Sequence, residues 1–180
     1  MRRDFSTAVV ILTIVVLIVL YFYAGYTREK QVEVRQVTLQ GITVHLPPGF
    51  HRLNKLERES YGFPPRVEAL KKGDFEELLL IDVETGLPTS LDQQDLSEYR
   101  ELSRTYLQET IQDFKLISHK VNRKEFSYSF VYSGKGREGP FYALYFSRIV
   151  PGKKINVTIS GPDGSLETLK RELSSLKITF

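Results

Sequence analysis

Residues 141–150 read FYALYFSRIV, and both alternate sets of their side chains are largely apolar. Phe141, Ala143, Tyr145 and Ile149 fall on one side of an extended chain. Tyr142, Leu144, Phe146 and Val150 fall on the other. Side chains of a strand alternate between faces, so a strand of this composition has to be covered above and below. The segment therefore predicts a central strand in a sheet with an apolar layer on each face.

Its neighbours complete a meander. KLISHKV (115–121) and EFSYSFVYS (125–133) precede it and KINVTIS (154–160) follows, with a Gly-rich turn before FYALYFSRIV and a Pro-Gly turn after it. In the second of these, Phe126, Tyr128, Phe130 and Tyr132 share one face and Ser127, Ser129 and Val131 the other. In the last, Ile155, Val157 and Ile159 alternate with Asn156, Thr158 and Ser160, which predicts one polar face.

Two helices are available to cover the sheet. Ser90-Leu91-Asp92-Gln93 fits a capping box. Leu96, Tyr99, Ser103, Tyr106, Leu107, Thr110, Ile111 and Phe114 then recur at helical spacing, opposite Glu98, Glu101, Arg104, Gln108 and Asp113. After the break at Gly161-Pro162-Asp163-Gly164, Ser165 is positioned to cap a second helix carrying Leu166, Leu169, Leu173 and Leu176. LKITF (176–180) reads as a terminal strand.

Upstream, VEVRQVTL (32–39) reads as extended. GITVHLPPGF (41–50) reads as a half-buried strand, Ile42, Val44 and Leu46 alternating with Thr43 and His45 until Pro47-Pro48-Gly49 ends it. Arg66 to Lys72 fits either a short helix behind Pro65 or a strand in a hairpin through Lys72-Gly73-Asp74, and the hairpin is preferred. The run LLLIDV from Leu78 suggests a strand covered on both faces. The expected class is α+β, a mostly antiparallel sheet flanked by helices on both faces, preceded by one transmembrane helix.

That element order, with GITVHLPPGF near the start, a long helix after LPTSLDQQDL, the meander and a last helix running into SLKITF, resembles the PsbP-like domains. The likeness covers roughly Val37 to Phe180. It implies an α/β/α sandwich and a non-enzymatic role in assembling or stabilising a membrane-associated complex. No position here matches a functional motif of that family, so no site residue is carried over.

The preceding segment fixes the expected location. Ala8 to Tyr26, AVVILTIVVLIVLYFYAGY, carries no charge and as a helix would span about 29 Å, close to a hydrocarbon core of about 30 Å. Tyr21, Phe22, Tyr23 and Tyr26 crowd one end, as in an interfacial belt. A cleaved signal peptide competes, with Arg2 and Arg3 as its basic start, but its apolar run should be shorter and its cleavage site should lack bulky Phe22 or Tyr23. The reading is a cytoplasmic leader (1–4), an uncleaved anchor in the bilayer (5–26), a short tether and first extended segment (27–36), and an extracytoplasmic domain (37–180).

Searching for chemistry yields little. The net charge of +3 is too small to predict a nucleic-acid partner, and the lack of cysteine excludes disulfides, thiolate metal sites and thiol catalysis. His45, His51 and His119 carry no metal-ligand spacing. ISGPDGS lacks the glycines of a nucleophile elbow, and Gly134-Lys135-Gly136 lacks the phosphate-loop frame. Asn156-Val157-Thr158 is a glycosylation triplet by chance. The clustered carboxylates Asp74, Glu76 and Glu77, and Asp92, Asp95, Glu98 and Glu101, read as solvated surface.

No catalytic, cofactor-binding or metal-binding residue is assigned, and no cofactor is expected. One charge pattern remains. Alternate turns of a meander lie at one end, which groups Arg123 and Lys124 with Lys153 and Lys154 as a basic rim for anionic headgroups or an acidic partner surface. The expected function is a membrane-anchored interaction or assembly module, partnered by a membrane protein or complex. The alternative is an exported small-ligand or lipid binder, with Tyr99, Tyr106, Phe126, Tyr128, Phe130 and Tyr132 lining a pocket beneath the long helix.

Overall fold

FYALYFSRIV lies at the heart of the sheet. A computed structural model describes residues 32–73, 77–137 and 139–180. The expectations for the anchor, for the belt of Tyr21, Phe22, Tyr23 and Tyr26 and for most of the tether lie outside the described residues. Among those described, no helix is long and apolar enough to cross a membrane.

The described strands are β1 (Gln36–Leu39), β2 (Ile42–His45), β3 (Phe50–Arg52), β4 (Glu68–Lys72), β5 (Glu77–Thr85), β6 (Gln112–Asn122), β7 (Ser127–Gly136), β8 (Gly139–Val150), β9 (Lys153–Pro162) and β10 (Lys177–Thr179). The helices are α1 (Lys55–Tyr61), α2 (Gln93–Thr110) and α3 (Leu166–Ser175). A seven-stranded sheet has the order β3-β4-β5-β9-β8-β7-β6, and a three-stranded sheet the order β1-β2-β10. Every pairing between these strands is antiparallel. The class is α+β.

Register divides the large sheet into two faces, because residues directly opposite one another in an antiparallel pair share a face. Leu144 of β8 lies opposite Val131 of β7 and Ile159 of β9. This face, with Leu79, Ile81, Ile155 and Val157, packs in one apolar cluster with Leu169 of α3 and with Val37, Ile42 and Val44 of the small sheet. Tyr145 looks the other way, opposite Phe130 and Thr158. It joins Tyr128, Tyr132 and Ala143 beneath Leu96 and Leu107 of α2. The β8 segment is thus roofed twice, as its composition requires.

The small sheet begins with a tight hairpin. Gln40 and Gly41 have φ of 50° and 79°, the pair of positive values that a two-residue turn needs to match strand twist. β10 then adds on the other side of β2, Ile178 opposite Val44, and the Phe180 ring lies 4.7 Å from the Arg148 guanidinium carbon.

Several local expectations change. Residues 68–72 form the strand of the preferred hairpin. The capping box of α2 sits two residues later than expected: Asp92 is the cap, its carboxylate accepting from the amides of Gln94 and Asp95, and Asp95 returns a bond to the Asp92 amide. A carboxylate pair here also suits the positive helix end better than Ser90. The same helix stops at Thr110, before Ile111 and Phe114, because Ile111 turns extended with φ −104° and ψ 120° and pairing of Gln112 with Lys135 takes over. Ser165 precedes α3, but its hydroxyl donates back to the Pro162 carbonyl rather than capping.

α1 had no counterpart in the reading of the sequence. Its signals are short: Asn54 and Glu57 exchange capping bonds, and Gly62 closes it with φ 69°. Lys71 of β4 pairs with Glu57, which fixes α1 against the sheet.

Gly134 is buried where Ile111 crosses β7. A Cβ there would collide with the Ile111 side chain and stand 3.2 Å from both the Gln112 carbonyl oxygen and Phe141 Cζ. Gly134→Ala should therefore lower the stability of the full chain by about 1–3 kcal/mol, read from urea midpoints. Gly136→Ala, whose Cβ would meet Phe141 at 3.4 Å, should leave the midpoint nearly unchanged.

Candidate functional site

A polar seam runs beneath α2 through an otherwise apolar layer. Ser103 of α2 shares hydrogen bonds with the hydroxyls of Tyr128 (2.8 Å) and Tyr145 (3.2 Å). Tyr128 also donates to the Tyr99 carbonyl at 3.1 Å. Tyr145 donates to Asn156 Oδ1 at 2.7 Å, and Asn156 Nδ2 donates to Glu84 at 2.8 Å. Lys154 closes the chain, its ammonium 3.0 Å from Glu84 and 5.6 Å from the centre of the Tyr99 ring.

The side chains of Ser103, Tyr128, Tyr145, Asn156 and Glu84 thus satisfy one another along the seam, which avoids the cost of leaving those buried groups unpaired. Burial raises the Tyr145 hydroxyl well above the ordinary phenol range, with the neighbouring Tyr128 adding to the effect. Burial alone does the same for Tyr132. Both phenols stay protonated at neutral pH, and that of Tyr145 acts as a hydrogen-bonding pin.

The six aromatic residues expected to line a ligand pocket behave differently. Tyr128, Phe130 and Tyr132 are each 2% exposed, with centroid separations of 5.7 Å between Tyr128 and Phe130 and 5.8 Å between Phe130 and Tyr145. Tyr99 is half-buried over Lys154 and Phe126 packs at the margin of the same cluster. Tyr106 points outward and is 65% exposed. These rings fill the space under α2 with one another.

The β9 face expected to be polar is polar but not open. Asn156 is 9% exposed and its amide is committed to Glu84 and Tyr145, so the Asn-Val-Thr triplet belongs to the core. Ser103 was visible as a small hydroxyl in the middle of the apolar stripe of α2. Glu84 carried no sequence signal, because its partners come from β9.

The basic residues of the rim divide between surroundings. The turn after β6 and the turn after β8 do share one end of the sheet, since Ser127 faces Arg148 and Val150 faces Lys153. Arg123 and Lys124 are exposed there. Lys153 donates to the Gln40 carbonyl of the small sheet, and Lys154, being next in the strand, turns to the opposite face and is 7% exposed within the seam. Of these four, Arg123 and Lys124 are the two that present their charges freely at that end.

Beside them lies a groove of about 640 Å³. Its floor is Ser127, Ser129 and Phe146, and its walls are Lys120, Asn122 and the turn through Glu125. Asn122 orders that turn, accepting from the amides of Lys124 (3.1 Å) and Glu125 (3.3 Å) and donating to the Glu125 carboxylate (3.1 Å). Gln93 at the start of α2 donates to the Arg123 carbonyl at 3.3 Å. The arrangement offers Lys120, Arg123 and Lys124 around serine hydroxyls, a surface suited to anionic groups.

The histidines are dispersed. His45 is on β2, while His51 on β3 and His119 on β6 lie on strands at opposite edges of the large sheet. Among the described residues no three His, Asp or Glu side chains converge as a metal site would require.

No family model matches the chain, and no curated protein matches it. Solved structures do. Cyanobacterial PsbP (CyanoP) from Synechocystis sp. PCC 6803 superposes with a TM-score of 0.56 at 16% identity, over 80% of this chain and 91% of that one. LpqN of Mycobacterium tuberculosis, described as involved in cell envelope biogenesis, gives 0.54 at 13% identity, over 87% of this chain and 96% of its own. The chain has a PsbP-like fold, the α/β sandwich that its element order resembled.

Two outcomes follow from the seam. Tyr145→Phe deletes the donor to Asn156 and should cost about 1–2 kcal/mol, with far-ultraviolet circular dichroism unchanged. Asp82, on β5 beside Glu84, has its carboxyl pKa raised, first by burial and then by Glu84, against the opposing charges of Arg66 and Lys154. The folded state therefore holds this proton more tightly than the unfolded chain, and stability falls as pH rises above the ordinary carboxyl range. Asp82→Asn should raise the urea midpoint at pH 7 and have a vanishing effect near pH 3.

Proposed function

We propose that this chain is a membrane-anchored extracytoplasmic interaction module, a non-catalytic accessory subunit of a membrane-associated complex. The observation that carries this reading is the PsbP-like fold, shared with cyanobacterial PsbP and with a protein described as involved in cell envelope biogenesis, in a chain whose residues Ala8–Tyr26 form an uncharged run. A span of that length suits an uncleaved helix, with Tyr21, Phe22, Tyr23 and Tyr26 at the headgroup level. The domain then works outside the cytoplasm, close to the bilayer.

Confinement to a membrane plane raises effective concentration, so weak surface contacts suffice. The exposed cations Arg123 and Lys124, with Lys153 behind them, are the contact residues of this reading. Lys154 contributes by holding α2 rather than by touching a partner. A ligand pocket under α2 is not favoured, because the aromatic rings there pack on one another.

The anchor is tested by separating membranes from intact cells. The chain should stay in the pellet through alkaline carbonate, begin upstream of Ala24 when sequenced, and be cut by protease added outside the inner membrane. Release by carbonate, or a mature chain starting beyond Gly25, would sink the reading. For the contact, Arg123→Glu with Lys124→Glu should reduce copurifying membrane proteins in mild detergent roughly tenfold, while unchanged recovery would remove these residues from the interface.

A further inference from the structure

β6 ends the seven-stranded sheet, so one side of its backbone pairs with no described strand. It is 11 residues long and exposed over most of that length. The other edge differs: β3 has 3 residues, and Glu33 bridges to its His51. A long open edge is a template for any extended chain, and bulges are a common way to blunt one. Both register irregularities of β6 fall between Gln112 and Ser118. From Ser118 to Asn122 pairing with β7 runs residue for residue, so the second half of the edge keeps regular strand geometry.

That same half forms a wall of the groove described above. Its two faces differ in chemistry. Lys120 shares a face with Ser129, toward the groove floor and the cations of the following turn. Val121 looks the other way, opposite Tyr128, and is 38% exposed. Of the charged groups around the groove, Lys120, Arg123 and Lys124 outnumber the carboxylate of Glu125, and that carboxylate is held by Asn122.

We infer that Ser118–Asn122 is a strand-addition site for an extended acidic segment of a partner protein. Main-chain hydrogen bonds to the open edge supply the register. Acidic side chains at alternate positions lie over Lys120, Arg123 and Lys124, and the apolar residues between them lie beside Val121. This is the usual division of labour in strand addition, backbone for affinity and alternate side chains for specificity. A bilayer surface would use the cations and leave the open backbone and Val121 without a part. The inference rests on the accessory-module reading and names the chemistry of its partner.

The test uses the full chain in mild detergent and a capped peptide of alternating valine and glutamate, with a valine–lysine peptide and phosphatidylglycerol vesicles as comparators. The acidic peptide should bind and should slow hydrogen exchange at the unpaired amides of Ser118–Asn122. Added salt should weaken it, and Lys120→Glu with Arg123→Glu should weaken it roughly tenfold. Both side chains are exposed, and Lys120→Gln provides a milder second variant, expected to weaken binding less. Failure of the acidic peptide to bind would overturn the inference. So would binding without protection of β6, binding indifferent to both variants, or vesicle binding through these cations in place of peptide binding. If charge-dependent copurification persists while the peptide fails, strand addition falls and the accessory reading stands.

Discussion

Everything in this fold follows from a central strand that cannot expose either of its sides. With Leu144 against one layer and Tyr145 against the other, β8 requires a roof and a floor, and sequence-distant elements converge to supply them. Each buried Leu, Ile or aromatic side chain contributes on the order of 1.5–3 kcal/mol relative to exposure. The layers are unlike. One is aliphatic, built from the small sheet and α3. The other is aromatic and threaded with hydroxyls, under α2.

That difference has structural consequences. An aliphatic layer is non-directional and tolerates small slides. The aromatic layer is pinned, because Tyr128, Ser103, Tyr145, Asn156 and Glu84 are hydrogen-bonded in that order and a displaced α2 would strand several buried groups at once. Lys154 anchors the far end. A lysine that looked like part of a surface rim in the sequence is a structural cation, and the exposed charge of that rim is correspondingly reduced to the hairpin turn.

The sheet was legible because period-two alternation reports burial directly, as in Tyr128 to Tyr132 and Ile155 to Ile159, although Phe126, read with them, lies in the preceding turn with φ 47°. The terminal strand at 177–179 was legible for the same reason. Helix ends were less so: Asp92 and Ser90 both satisfy capping chemistry, and only the approach of the chain to the sheet selects between them. α1 was missed because its apolar stripe is too short to produce periodicity, with Leu56 76% exposed. The seam was illegible beyond Ser103, since Glu84 and Asn156 meet only through register. Likewise, spacing locates both turns at one end and alternation separates Lys153 from Lys154, but neither tells that Lys154 is buried against Glu84.

The pairing of β10 with β2 joins segments from nearly opposite ends of the domain, Val44 with Ile178. Contacts so remote along the chain raise the entropy cost of closure and slow folding. During synthesis β2 has β1 on one side and, until residues 177–179 arrive, bare amides and carbonyls on the other. The nascent domain therefore carries a temporarily adhesive edge, and a chaperone shielding that strand would act at the stage when this polypeptide is most prone to misassembly.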